Sequence, residues 1–292
     1  MKKLLLLVMV LILCLSSAAF AEAAIEKERV KVPLEVSGKA YLLDAMIYKP
    51  EGDGPFPAMV MTHGTSRLVA DRLKTTADTY YVRQAETFAK LGMAVIFVVR
   101  RGFGISDGPY NESFQYPNGT RNYTRAGLEA AKDLGAAIRY FQDKSYVDKS
   151  RVVLLGQSTG GHSVTATGSL NFPGVIGVIN FAGGRGSSAP DVVRDEANLI
   201  DSYGTYGKTF RVPTLWLYSE NDHYFRPALA QQFLAAFQTG GGKVDFIALP
   251  PFGEDGHSSF VGAKANWYDP VLDFLKKIGA VANVGASLGR AA

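Results

Sequence analysis

The sequence predicts one α/β domain built on a mostly parallel sheet. Three observations predict it. Apolar runs and helical patterns alternate along most of the 292 residues, as βαβ units require. Several runs, such as Met93 to Val99, are continuously apolar, the mark of a strand buried on both faces. No internal repeat and no linker of shifted composition divides the chain. At 47% hydrophobic and 20% charged, it has enough apolar side chains for one sizeable core.

Val30 to Val36 and Tyr41 to Tyr48 read as strands joined in a hairpin near Ser37-Gly38, and Ala58 to Thr62 as the next strand. Asp78 to Leu91 reads as a helix stopped by Gly92. In the following helix Leu128, Ala131, Leu134, Ile138 and Phe141 recur at three- and four-residue steps. Val152 to Leu155, Val175 to Phe181, Thr214 to Tyr218 and Val244 to Leu249 continue the strands. Pro227 to Gln238 reads as a helix with proline at its start and glycines after it, and Trp267 to Ile278 as the closing helix. Residues 279–292 read as a disordered, small-residue tail.

The amino terminus reads as a signal peptide over residues 1–21. Lys2 and Lys3 precede twelve apolar residues, Leu4 to Leu15, and Ala19-Phe20-Ala21 supplies an A-x-A cleavage site. Twelve residues make about 18 Å of helix, short of a hydrocarbon core of roughly 30 Å, so a membrane anchor is disfavoured. Export to the periplasm or medium is expected, with the domain at 22–278 and no membrane span in the mature chain. Bulky Leu13 before Cys14 argues against a lipoprotein.

Losing two lysines takes the net charge from +4 to +2, and no basic run interleaves with aromatics, so nucleic acid is not an expected partner. Cys14 is the only cysteine, so a cleaved chain has no disulfide. Histidines at 63, 162, 223 and 257 form no H-x-x-x-H pair, and no metal or cofactor is expected. Oligomeric state is not readable.

G-x-S-x-G occurs twice. Gly104-Ile-Ser106-Asp-Gly108 runs into Pro109 and a polar loop. Gly156-Gln-Ser158-Thr-Gly160 follows an apolar strand and opens a helix, the strand–turn–helix context of a nucleophile elbow. There the serine sits on a strained turn, and the helix N-terminus places partial positive charge where an oxyanion forms. A serine needs a base. His162 lies four residues on, on the same helix, and reads as packing. His223 reads as pocket wall or solvated, and His63 opens a loop able to present backbone amides. His257 alone combines a late loop with the chain order Ser, acid, His. Asp222, at the end of the Thr214 strand, competes with Asp255 for the acid. A rigid strand can aim the first carboxylate, whereas the second is only two residues from the ring it would orient.

Taken in order, Thr62-His-Gly-Thr65, Arg100-Arg-Gly-Phe-Gly-Ile-Ser-Asp-Gly108, Gly156-Gln-Ser-Thr-Gly160, Ser219-Glu-Asn-Asp222 and Gly256-His257 resemble the α/β-hydrolase superfamily. Within it the chain is similar to the dienelactone hydrolase-like and related serine esterases, over roughly 30–278. The resemblance implies Ser158 as nucleophile, Asp222 as acid, His257 as base, and an oxyanion hole from the backbone amides of Thr65 and Thr159. Dienelactone hydrolases proper use cysteine, so serine here points to a small ester or lactone. Arg101 and Asp107 read as loop braces. Ala182 to Arg211 is the expected small cap, with a short helix at Asp191 to Ile200 and with Tyr203, Tyr206, Phe210, Tyr224 and Phe225 as pocket candidates. An acyltransferase or a catalytically inactive binding protein on the same fold would share most of these features.

Overall fold

The structure is a computed structural model in which residues 24–282 are described. The signal peptide expected at 1–21 and the tail from 283 lie outside the described residues.

β1 (Ile25–Val36) and β2 (Lys39–Pro50) form the expected hairpin. Ser37 and Gly38 both take positive φ, 53° and 72°, the backbone of a tight two-residue turn whose twist matches the flanking strands. β1 alternates over its second half, with Val30, Val32 and Leu34 buried and Lys31 and Pro33 between them exposed. β3 (Phe56–Thr62), α1 (Val82–Lys90), β4 (Ala94–Val98), α2 (Tyr123–Gln142), β5 (Val147–Gln157), α3 (Thr159–Gly168) and β6 (Val175–Phe181) follow. β7 (Ser187–Ala189) and β8 (Val192–Val193) make a small separate ribbon. α4 (Glu196–Gly207), β9 (Thr214–Ser219), α5 (Pro227–Thr239), β10 (Asp245–Leu249) and α6 (Lys264–Lys277) complete the chain.

The main sheet has eight strands in the order β1-β2-β4-β3-β5-β6-β9-β10. β1, β2 and β4 pair antiparallel, and every pairing from β4 to β10 is parallel. Alternate residues of the central strands feed two cores. Val60 of β3, Ile96 of β4 and Leu154 of β5 face the side covered by α2, α3, α4 and α5. Met61, Phe97 and Leu155 face the side covered by α1 and α6. Burial on both faces is why these strands read as unbroken apolar runs.

Some boundaries differ from expectation. α1 starts at Val82 rather than Asp78, because Tyr81 adopts a left-handed backbone (φ 54°) that no helix can include. In the insertion after β6, the helix is α4 from Glu196, not one over Asp191 to Ile200, and Asp195 before it is also left-handed. Ala280 is buried, and the backbone N–H groups of Ala280 and Val281 bond the carbonyl of Leu275, so ordered packing runs past Gly279.

Candidate active site

The parallel strands end on one side of the sheet, and β5 delivers Ser158 there. Ser158 has φ 58° and ψ −124°, a costly backbone for a residue with a side chain. It is held by neighbours on both flanks: its N–H bonds Phe181 O at 2.9 Å, and its carbonyl accepts from Gly184 N at 3.1 Å. The motif glycines allow the close approach. A Cβ on Gly160 would lie 2.6 Å from His63 O, and one on Gly64 would lie 2.9 Å from Ser158 Cβ. Ser158 therefore sits at the N-terminus of α3, against the loop that leaves β3.

That loop carries Thr65, whose Oγ1 is 2.8 Å from Thr159 Oγ1. The two residues whose amides were expected to form the oxyanion hole are thus joined, and both line the cavity beside Ser158.

Asp222 follows β9. Its Oδ1 accepts the backbone N–H of Tyr224 (2.7 Å) and Phe225 (2.8 Å), while Oδ2 lies 3.0 Å from His257 Nδ1. Asp222 is 1% exposed and His257 9%. Tyr224 stacks on the imidazole at 4.0 Å, and the Arg67 guanidinium lies 3.6 Å from the tyrosine ring centre. Asp255 does something else: its Oδ1 accepts the backbone N–H groups of His257 and His223, each at 3.0 Å, bracing the loop. The elbow and the histidine loop are tied by Gln157, whose Nε2 donates to His257 O (3.1 Å) while Oε1 accepts from Tyr81 OH (2.7 Å). The hydrogen bonds of the described residues join His257 to Asp222, but include none between Ser158 Oγ and the imidazole.

The other histidines and the first glycine–serine motif are accounted for by packing. His63 is fully buried, with Nδ1 at 2.8 Å from Gly64 O and Nε2 accepting from Arg100 N. His162 accepts from Arg185 Nε at Nδ1 and meets Ser202 Oγ at Nε2. Burial drives both well below the usual imidazole range, so each is a neutral ring with both nitrogens in use. His223 faces Asp191 at 3.0 Å and is partly exposed. Ser106 donates to Val99 O and accepts from Asp44 N, Asp107 accepts from Leu42 N, and Arg101 pairs with Asp133.

Beneath the cavity lies a buried ionic cluster that sequence reasoning missed. Glu112 is shared by Arg100 and Arg185. Burial alone would raise its carboxyl, but the two guanidinium groups outweigh that and hold it at about 2. Arg100 also donates to Thr62 Oγ1, His63 O and Thr159 Oγ1, stitching the β3 exit to the elbow. The adjacent Arg100-Arg101 pair was the one signal available, and it did not say which partner each would find.

Of the aromatic pocket candidates, Tyr224 and Phe225 line the cavity. Tyr203, Tyr206 and Phe210 do not: they are core residues, Tyr203 stacked on Phe233 and Phe210 against Phe237. The cavity measures about 390 Å³, within the ordinary range for small-molecule sites.

Residues 79–171, from the approach to α1 through the elbow and α3, match the prolyl oligopeptidase family. No curated protein matches the sequence. Among solved structures, the chain is similar to a Klebsiella pneumoniae protein assigned as a dienelactone hydrolase (TM-score 0.60, 14% identity, 88% of this chain and 99% of that one). It is similar to Pyrococcus horikoshii acylaminoacyl peptidase (TM-score 0.66, 19% identity, 91% of this chain), of which it spans only 44%. Thermogutta terrifontis esterase 2, solved phosphorylated by paraoxon, aligns with 90% of this chain and 96% of its own (TM-score 0.59, 17% identity). At these identities the likeness is one of fold.

Proposed function

Taking the chain as a serine hydrolase with the α/β-hydrolase fold, we propose that it is exported and cleaves small carboxylic esters or lactones with Ser158, His257 and Asp222. The observation that carries this is the tethering of a strained serine at a helix N-terminus to a loop whose histidine is hydrogen-bonded to a buried carboxylate.

In this reading His257 Nε2 takes the Ser158 Oγ proton as the oxygen bonds the acyl carbon. The backbone amides of Thr65 and Thr159 receive the oxyanion, worth roughly 3–4 kcal/mol per donor in comparable sites. Asp222 keeps the Nδ1 proton facing inward and offsets the charge of the imidazolium. The proton passes from His257 to the leaving alkoxide, which departs as alcohol. Water then gives a proton to the same nitrogen, adds to the acyl-enzyme, and releases acid and free serine.

The family match to residues 79–171 favours a second arm, amide hydrolysis, which makes a higher demand on leaving-group protonation. The test is a substrate panel of esters, lactones and amides on the chain from residue 22, with and without an added alcohol acceptor. Ester or lactone turnover that disappears in Ser158→Ala supports the proposal. Turnover confined to amides, products formed only with the acceptor, or hydrolysis unaffected by Ser158→Ala would each replace it.

A further inference from the structure

We propose that the cavity beside Ser158 selects esters bearing a carboxylate on the acyl portion, of which the half-ester of a short diacid is the simplest, with Arg72 as a principal recognition residue. The proposal rests on reading Ser158 as the nucleophile.

Five arginines, 67, 72, 121, 185 and 194, line this cavity, against a single carboxylate, Glu112. That carboxylate is already committed to Arg100 and Arg185. Deeper in the fold, guanidinium groups are matched with acids: Arg100 and Arg185 with Glu112, and Arg101 with Asp133. Among the described residues, no ion pair reaches Arg67, Arg72, Arg121 or Arg194. The nearby acids point elsewhere. Asp71 takes Ser66 and Lys74, and Asp195 takes the backbone N–H of Arg121.

Three of these cations, Arg67, Arg72 and Arg121, are held by neutral groups, which position a charge without cancelling it. Arg67 donates to Ser187 Oγ and to the carbonyls of Ala189 and His223, and Arg121 donates to Ser113 Oγ. The Arg72 guanidinium lies 4.2 Å from the centre of the Tyr110 ring, and its buried Nε has no hydrogen-bond partner among the described residues. The concentration of charge is local: the whole chain sums to only +4, so one concavity holds as much net positive charge as the entire molecule. A cleft lined by one sign focuses potential and attracts the opposite sign. A planar carboxylate matches the guanidinium fork, whereas a neutral acyl chain of equal length leaves those donors unmet.

The test compares mono-4-nitrophenyl glutarate with 4-nitrophenyl pentanoate, acyl chains alike except for the terminal carboxylate. We expect kcat/KM to favour the glutarate half-ester by about tenfold or more at low salt, the size of one charge-assisted contact. The ratio should fall by about tenfold in Arg72→Gln, fall also in Arg121→Gln, and shrink at high salt. Arg139→Gln, an exposed change at the far end of α2, should leave the ratio unchanged. Calorimetry with glutarate, and dimethyl glutarate as the neutral comparison, reads the same site without turnover. Glutarate binding that weakens in Arg72→Gln supports the proposal. A ratio at or below one, or glutarate binding absent or indifferent to Arg72, overturns it. If hydrolysis of both esters survives Ser158→Ala, the nucleophile assignment fails while the glutarate titration still decides the anion site.

Discussion

Asp222 divides its carboxylate between two jobs, one oxygen turned to His257 Nδ1 at 3.0 Å and the other held by the backbone N–H groups of Tyr224 and Phe225. The second contact makes the first possible, because a carboxylate anchored at one oxygen cannot swing away from the ring. An amide in its place could keep the backbone contacts through its carbonyl, but its NH2 would face Nδ1 and favour the wrong tautomer. Asp222→Asn is therefore expected to lose on the order of 10⁴ in turnover with little loss of melting temperature. Asp255→Asn, at a loop brace, should lose far less activity. Steady-state kinetics on folded variants check this, and the reverse ranking would give the orienting role to Asp255.

The two serine motifs should separate cleanly. Ser158→Ala is expected to abolish turnover without unfolding the protein. Ser106→Ala removes a hydroxyl that joins Val99 O to Asp44 N in the interior, and should destabilise by about 1–3 kcal/mol while leaving substantial activity. Denaturant melts and ester assays on both variants test the pair. Equal loss of activity in both would undo the choice of elbow.

Close packing at the elbow predicts an effect from a single methyl. In Gly64→Ala the new Cβ would meet Gln157 Oε1 at 2.8 Å and Ser158 Cβ at 2.9 Å, so one of them must shift. The expected result is a fall in kcat of about tenfold to a hundredfold, with a smaller change in KM. Wild-type kcat in Gly64→Ala would mean that the loop leaving β3 yields without disturbing the serine.

The Glu112 cluster predicts a pH dependence of stability. Its carboxyl falls from 4.5 to about 2 on folding, so its contribution is fully present above pH 4.5 and is lost as pH drops toward 2. The shift corresponds to roughly 3 kcal/mol. Asp133 shifts the other way: burial raises it to about 6 despite Arg101, so whole-protein melts mix the two. Comparing wild type with Glu112→Gln isolates the first. The stability gap between them should be widest near neutral pH and should close as pH falls below about 4. A gap independent of pH would show that the ionised carboxylate contributes nothing.

Proposed export predicts that protein recovered from envelope or medium begins at Glu22. Mass spectrometry reads this directly, and a retained Met1 or a lipid on Cys14 would contradict it.

The legible parts of this molecule are those whose signal is local. Met93 to Val99 announced a strand buried on both faces, and Gly156 to Gly160 announced its turn, because each requirement is met within a few residues. Tyr203, Tyr206 and Phe210 were misplaced for the opposite reason. As part of an insertion between two strands they suggested a pocket lining, yet α4 lies against α5 and sends Tyr203 and Tyr206 into the core, while Phe210, just beyond the helix, packs on Phe237. The Glu112 cluster was invisible because its arginines come from positions 12 and 73 residues away. Nothing in a sequence distinguishes an arginine that will be buried in such a cluster from one that will stay in water.

The outermost strand, β1, has a bearing on how the protein behaves in company. Any sheet edge is an open row of amides and carbonyls on which another chain can lay a strand. Here that row is flanked by outward-facing Lys27, Arg29 and Lys31, whose partners Glu86, Asp44 and Asp78 all lie within the same molecule. A second copy approaching edge to edge would bring these like-charged side chains together. The hairpin thus acts as a guard against self-templating, and replacing those three cations with threonine would put solubility at risk before it touched the fold.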